Sequence, residues 1–142
     1  MRQSVQVVTV GVTDLDVSRD FYTHGLGWIP TLDLPDIVFY QVGAGLVFAI
    51  FGILDLAADI GVAVTVGGGF SLGQVVTSQD EVDSAMERAR AAGAEILKEP
   101  QYGAFGGYHG YFADPDGHRW EVAWNPGFTV ADDGTVKIRL IT

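Results

Sequence analysis

The sequence predicts an α+β fold, in which tandem βαβββ modules form a curled mixed sheet around a concave cleft with helices on the outside. Three observations predict it. The order strand, helix, three strands occurs twice; each helical pattern lies between an N-capping residue and a stopping glycine; and a stretch ending in Gly67-Gly68-Gly69 separates the copies. Aligning the two helix starts gives an offset of about 65 residues, and aligning the two final hairpins gives about 72. A longer loop over 100–109 accounts for the difference.

In the first half, the β-branched run 5–12 reads as a strand. Thr13-Asp14 supplies an N-cap, and Leu15, Val17, Phe21 and Tyr22 approximate a helical stripe that stops near Gly25. Strands follow at 37–42 and 46–51, joined through Gly43-Ala44-Gly45, with a shorter one near 28–32. In the second half, residues 72–77 read as a strand and Ser78-Gln79-Asp80-Glu81 as a capping box. Val82, Ala85, Met86 and Ala89 sit at helical spacing before Gly93. Strands at 95–98, 110–113 and 118–124 follow, the last two joined by the turn Asp114-Pro115-Asp116-Gly117. Asp132-Asp133-Gly134 is a turn that returns a last strand over 135–140. The chain is therefore one domain over 1–142, with module one at about 1–53, a linker at 54–69, module two at about 70–126 and a tail at 127–142.

Composition narrows the function. With 142 residues, 48% hydrophobic and 18% charged, the chain buries a core without staples. It has no cysteine, which removes disulfides, thiolate metal sites and thiol nucleophiles. The longest apolar stretch, 46–54, is shorter than a bilayer span of about 20 residues. The opening MRQSVQVVTV lacks the order of a signal peptide, so a soluble, cytoplasmic protein is expected. The net charge is −10, shared equally by the two halves, and no basic stripe exists to meet phosphates. Nucleic acid and membrane are not expected partners. An acidic field draws cationic ligands, or simply keeps the chain soluble.

Two stretches then resemble a known family. Val10-Gly11-Val12-Thr13-Asp14-Leu15, Ser18-Arg19-Asp20-Phe21-Tyr22 and Gly25-Leu26-Gly27-Trp28 are similar to the first module of the vicinal oxygen chelate superfamily. That superfamily holds glyoxalase I, the bleomycin-resistance proteins and the extradiol dioxygenases. The segment from Gly110 through Asp114-Pro115-Asp116-Gly117-His118 to Val122 resembles its closing hairpin. The resemblance implies a divalent metal held by residues on the first and last strands of each module. Those positions fall on Val7, on Phe48 or Ala49, on Ser71 or Gly73, and on Glu121. Three of the four lack a good donor, since Val, Phe, Ala and Gly side chains offer none. Gln6 and Gln74 restore two positions only if both registers slip, and a one-residue slip turns a strand residue to the opposite face.

Pairing Asp114 with Gly117 sets Phe112 opposite Arg119 and Gly110 opposite Glu121. Alternation then gives His109, Tyr111, Trp120 and Val122 the other face, with Trp120 as core. The resemblance places Glu121 in the cavity, so Phe112 and Arg119 line it as well. Glu121 either receives a cationic group of a ligand or forms an ion pair with Arg119. The loop Gln101-Tyr102-Gly103-Ala104-Phe105-Gly106-Gly107-Tyr108 interleaves aromatics with glycines. It either lies over a planar ligand or is pinned by its aromatics to the module edge. The opposite wall belongs to Val47, Ala49 and Phe51, or by the other parity to Leu46, Phe48 and Ile50. His24 is read as a helix-dipole partner, His118 as a turn residue and His109 as packed.

The expected function is metal-independent binding of a small molecule, an aromatic or cationic natural product, in the manner of antibiotic resistance by sequestration. The expected ligand-binding residues are Phe51, Tyr102, Phe105, Tyr108, Phe112, Arg119 and Glu121. No cofactor, metal ligand or catalytic residue is assigned, and the resemblance implies a homodimer. The alternative is a lyase, isomerase or dioxygenase, either metal-dependent or using Glu121 for metal-free proton transfer.

Overall fold

Residues 1–104 and 106–138 are described by a computed structural model. In module one, β1 (Val7–Val12) leads to a short helix α1 (Leu15–Asp20), which continues as a π-helical turn over Phe21–Gly25. Asp14 caps α1 by accepting from the amides of Asp16 and Val17, at 3.0 and 3.2 Å. The widened turn lets two consecutive aromatics, Phe21 and Tyr22, both enter the core. The helical stripe differs from the expected one by a position, because Val17 is half exposed and Ser18 is fully buried. β2 (Leu32–Asp33), β3 (Ile37–Gln41) and β4 (Val47–Gly52) complete a sheet of order β1-β4-β3-β2. β1 and β4 run parallel, and the other pairs are antiparallel.

The expected linker is partly helical. α2 (Ile53–Ile60) follows β4 directly and ends at Gly61, whose φ of +91° suits glycine. Ile53, Leu56, Ala57 and Ile60 are helically spaced, but the apolar run is continuous with β4, which disguises the change of period. Ile53 and Leu56 lie over Gly11, where an added Cβ would stand 3.2 and 3.3 Å from their side chains.

Module two repeats the plan. β5 (Leu72–Val75) precedes α3 (Gln79–Ala91), then β6 (Glu95–Tyr102), β7 (Tyr108–Ala113) and β8 (Arg119–Trp124) form the order β5-β8-β7-β6. Ser78 accepts from the Glu81 amide at 3.2 Å, while the Glu81 carboxylate reaches back to the Thr77 amide and hydroxyl at 2.7 and 2.9 Å. β6 runs four residues beyond the expected strand, through two register shifts against β7. A separate hairpin, β9 (Phe128–Val130) with β10 (Val136–Ile138), ends the described chain, and the remainder of the expected strand lies outside the described residues.

Both sheets turn one face into a single core. Val10, Val12, Val38, Tyr40, Phe48 and Ile50 enter from module one, and Phe112, Trp120 and Val122 enter from module two beside Val82, Met86 and Ala89 of α3. The Trp120 ring packs 5.5 Å from Phe48, 5.6 Å from Trp28 and 6.2 Å from Tyr22.

A polar seam, buried at Tyr22 and Asp114 and exposed at Thr13, also joins the modules. Tyr22 donates to Asp114 at 2.7 Å and accepts from the Trp120 indole at 3.0 Å. Asp116 accepts from the Thr13 amide, the Thr13 hydroxyl and the Ser18 hydroxyl at 2.8, 2.7 and 3.0 Å. His118 Nε2 donates to the Gly11 carbonyl at 2.8 Å, so this residue locks the turn onto β1. Burial raises the Asp114 carboxyl above the usual carboxylate value, against the opposing effect of the hydrogen bond from Tyr22. Burial and the neighbouring Asp114 charge push the Tyr22 phenol well up.

Candidate functional site

Because both helix-covered faces enter one core, the opposite face of each sheet is turned away from it. Those two outer faces hold the residues that the resemblance places at the site. Their composition depends on the β7–β8 turn. Asp114 N–H donates to the His118 carbonyl at 2.9 Å and Gly117 N–H to the Asp114 carbonyl at 2.9 Å, with Gly117 at φ +84°. Asp114 therefore closes on His118 rather than Gly117, giving a three-residue loop with a left-handed glycine. The Asp114 carboxylate holds this loop by accepting from the amides of Asp116 and His118 at 3.0 and 2.8 Å.

One extra residue in the loop reverses part of the expected face. Phe112 pairs with Trp120, Tyr111 with Glu121, Gly110 with Val122 and Ala113 with Arg119. Phe112 is therefore a core residue, 4% exposed and stacked on Trp120 at 6.3 Å, and does not share a face with Glu121. Tyr111 and His109 take its place on the outer face. Trp120 is core, as expected.

The outer face of module two centres on Glu121, which lies between Tyr111 on β7 and Gly73 on β5. Of the two alternatives for Glu121, the ion pair with Arg119 is not made; Arg119 donates instead to the Gly68 carbonyl at 2.8 Å. Among the described residues Glu121 forms no ion pair. Burial, and then the Glu121 charge, raise the Tyr111 phenol above its ordinary value. His109 packs edge-on to Tyr111 at 5.7 Å and rests on Gly103, where a Cβ would come within 2.6 Å of its ring. Sequence reasoning missed Tyr111, and only the loop length could have placed it.

The aromatic loop divides. Tyr102 and Tyr108 pack together at 5.3 Å and face α3, where Tyr102 accepts from Gln79 at 2.6 Å and Tyr108 donates to Asp83 at 2.7 Å. That bond to Asp83 raises the Tyr108 phenol. These two rings pin the loop to the module edge, on the opposite side of the sheet from Glu121. Phe105 lies outside the described residues. Phe51 is on the outer face of module one with Val47 and with Ala49, which is itself fully buried, whereas Phe48 and Ile50 point into the shared core.

The register also decides the four positions implied for a metal. Glu121 faces Gly73 across β8 and β5, and the corresponding pair in module one is Ala49 with Thr9, two residues along the same face from Val7. One carboxylate, one hydroxyl, an Ala and a Gly do not make a four-donor set. Among the described residues no three His, Asp or Glu side chains gather where they could hold a metal ion. The residues present do not fit that centre.

Comparison with known proteins agrees with the fold. Residues 4–122 match the Glyoxalase/Bleomycin resistance protein/Dioxygenase superfamily, and the chain belongs to that superfamily. Among solved structures, a glyoxalase-related enzyme from Fulvimarina pelagi is 42% identical with a TM-score of 0.92, over 98% of this chain and 100% of that one. A glyoxalase/bleomycin resistance protein/dioxygenase from Nocardioides is 26% identical with a TM-score of 0.74, over 87% of this chain and 84% of that one. Lactoylglutathione lyase from Agrobacterium tumefaciens shares the fold, with 22% identity and a TM-score of 0.70 over 87% of this chain and 95% of that one. No curated protein matches the chain. No helix among the described residues is long and apolar enough to cross a membrane.

Proposed function

We propose that the protein binds a small aromatic or cationic natural product without a metal, sequestering it as an antibiotic-resistance protein does. The observation that carries this reading is Glu121, a half-buried carboxylate with no cationic partner among the described residues, beside Tyr111 and His109. A carboxylate in a partly dry site favours a ligand cation, and the adjacent rings favour a flat apolar body. The second wall comes from a second copy of the chain, whose outer face carries the half-buried Val47 and Phe51. A homodimer built in this way closes the site and covers both open sheet faces. Action in the cytoplasm belongs to the same reading.

Chelator-stripped protein titrated calorimetrically with Mn²⁺, Fe²⁺, Ni²⁺ and Zn²⁺ should give no stoichiometric heat. Tryptophan fluorescence should then report saturable binding of a cationic polyaromatic compound, weakened at least tenfold by Glu121→Gln. Metal binding tighter than about 1 μM, equivalent to roughly 8 kcal/mol, and lost in Glu121→Ala would overturn the metal-free reading.

One observation favours an enzymatic alternative. The phenol of Tyr111 stands across from Glu121, which gives a carboxylate base and a hydroxyl on one face. The similar Fulvimarina pelagi structure is described as a glyoxalase-related enzyme. Turnover of a hemithioacetal or a catechol, abolished in Glu121→Gln, would establish that alternative over sequestration.

A further inference from the structure

On the helix side of the module-two sheet, away from Glu121, a pocket of about 80 Å³ opens at the seam between the modules. Its lining is apolar on most sides: Leu26 and Trp28 from module one, Ala85 of α3, and Phe112, Trp120 and Val122 from β7 and β8. Trp28 meets Trp120 edge to face at 5.6 Å, while Phe112 stacks parallel to Trp120, so the walls are rigid rings. Two polar side chains complete the lining, Arg88 of α3 and the exposed Gln74 of β5.

Arg88 is already oriented. Its Nε donates to the Leu26 carbonyl at 3.1 Å, and its Nη2 lies where a Cβ on Gly27 would stand 2.7 Å away. Gly27 has φ +76°, so glycine both permits this backbone and makes room for the guanidinium. In a chain with 18 acidic and 8 basic residues, Arg88 has no carboxylate partner among the described residues. An oriented guanidinium beside an apolar slot selects a planar anion with a hydrocarbon end. The net charge of −10 repels anions in general, so the contact must be local.

We propose that this pocket is a second ligand site, for a short-chain monocarboxylate, with the hydrocarbon end against the wall formed by Trp28, Trp120 and Phe112 and the carboxylate on Arg88 and Gln74. A volume near 80 Å³, against the roughly 10–15 Å³ that a single water needs on the same measure, has room for several waters and suits a short chain.

The test is tryptophan fluorescence of the full chain titrated with sodium butyrate, against sodium chloride at matched concentration and against butanol. A saturable change with half-effect below about 10 mM is expected for butyrate alone, the weak affinity proper to so few atoms. Arg88→Gln, an exposed position, should weaken it at least tenfold. Ala85→Leu should fill the slot and abolish the change while keeping or raising the thermal midpoint. No saturable change, an equal response to chloride, equal affinity for butanol, or unchanged affinity in Arg88→Gln would each overturn the proposal. Should Ala85→Leu fail to fold, the Arg88→Gln and butanol comparisons decide alone.

Discussion

The two modules share one topology but present different outer faces. Module one turns out Val7 and Phe51, with α2 laid over one end of the face by Ile53 and Leu56 against Gly11. Module two turns out His109, Tyr111, Arg119 and Glu121, and no helix covers Gly73, which has only the Glu121 carboxylate nearby at 3.9 Å from an added Cβ. The inner faces, by contrast, are alike: aliphatic and aromatic residues that meet in one core. Burial constrains the inner faces in the same way in both modules, whereas the outer faces are free to diverge. In this chain one outer face supplies apolar surface and the other supplies a carboxylate, a phenol and an imidazole.

The comparison can be tested at four depths. The largest effect belongs to the shared core. Trp120→Ala removes the ring that touches both modules and leaves Tyr22 without its indole donor. A loss of about 3–5 kcal/mol is expected from the urea midpoint, in a single transition because the modules share one core. Next comes the contrast between the outer glycines. Gly11→Val must push Ile53 and Leu56 aside and should cost about 1–3 kcal/mol. Gly73→Val meets only the Glu121 carboxylate, at an ordinary contact distance of 3.9 Å, and should stay within about 0.5 kcal/mol of wild type. Equal costs at the two positions would refute the assignment of α2 as a cover for module one alone.

The third effect is a pH dependence at the seam. Asp114 has a raised carboxyl pKa in the folded protein, so between about pH 3.8 and its folded value this one group holds more proton in the folded state than in the unfolded chain. Its contribution is therefore favourable at low pH and is lost as pH rises through the folded value. Asp114→Asn should flatten that part of the stability–pH curve, read by denaturation across the acid range. The smallest effect is on the module-two face. Glu121→Gln removes a charge that holds the Tyr111 phenol up, so the phenolate absorbance should appear at lower pH than in wild type. Burial, the larger cause, remains and should keep it above an ordinary tyrosine. An unchanged titration would mean that Glu121 does not influence Tyr111, and would weaken the enzymatic alternative directly.

Much of the scaffold was legible in the residues. Asp14 and Ser78 cap their helices where the pattern places them, and the last two strands of each module sit close to their expected positions. α2 was not legible, because its apolar spacing follows β4 without a polar break. At the site, Glu121 lies on the face that the resemblance implied, the parity left open on β4 resolves toward Val47 and Phe51, and Phe112 lies on the opposite face from the one expected. The cause is local: Asp114-Pro115-Asp116-Gly117 reads as a two-residue turn, but the Asp114 carboxylate draws in His118 as well and lengthens the loop. Tyr102 and Tyr108 were expected over a ligand because their composition was clear, but their partners, Gln79 and Asp83, are more than twenty residues away in sequence.

The sequence by itself determined the repeat, the order of elements, the absence of thiol chemistry and the acidic charge, since these follow from composition and local periodicity. The tertiary structure alone decided which residues face outward, that Arg119 turns to Gly68 and not to Glu121, and that Arg88 sits beside an apolar slot. The physical reason is that strand faces alternate with a period of two, so one residue in a loop reverses them, and that side-chain partners are chosen by packing between segments distant in the chain.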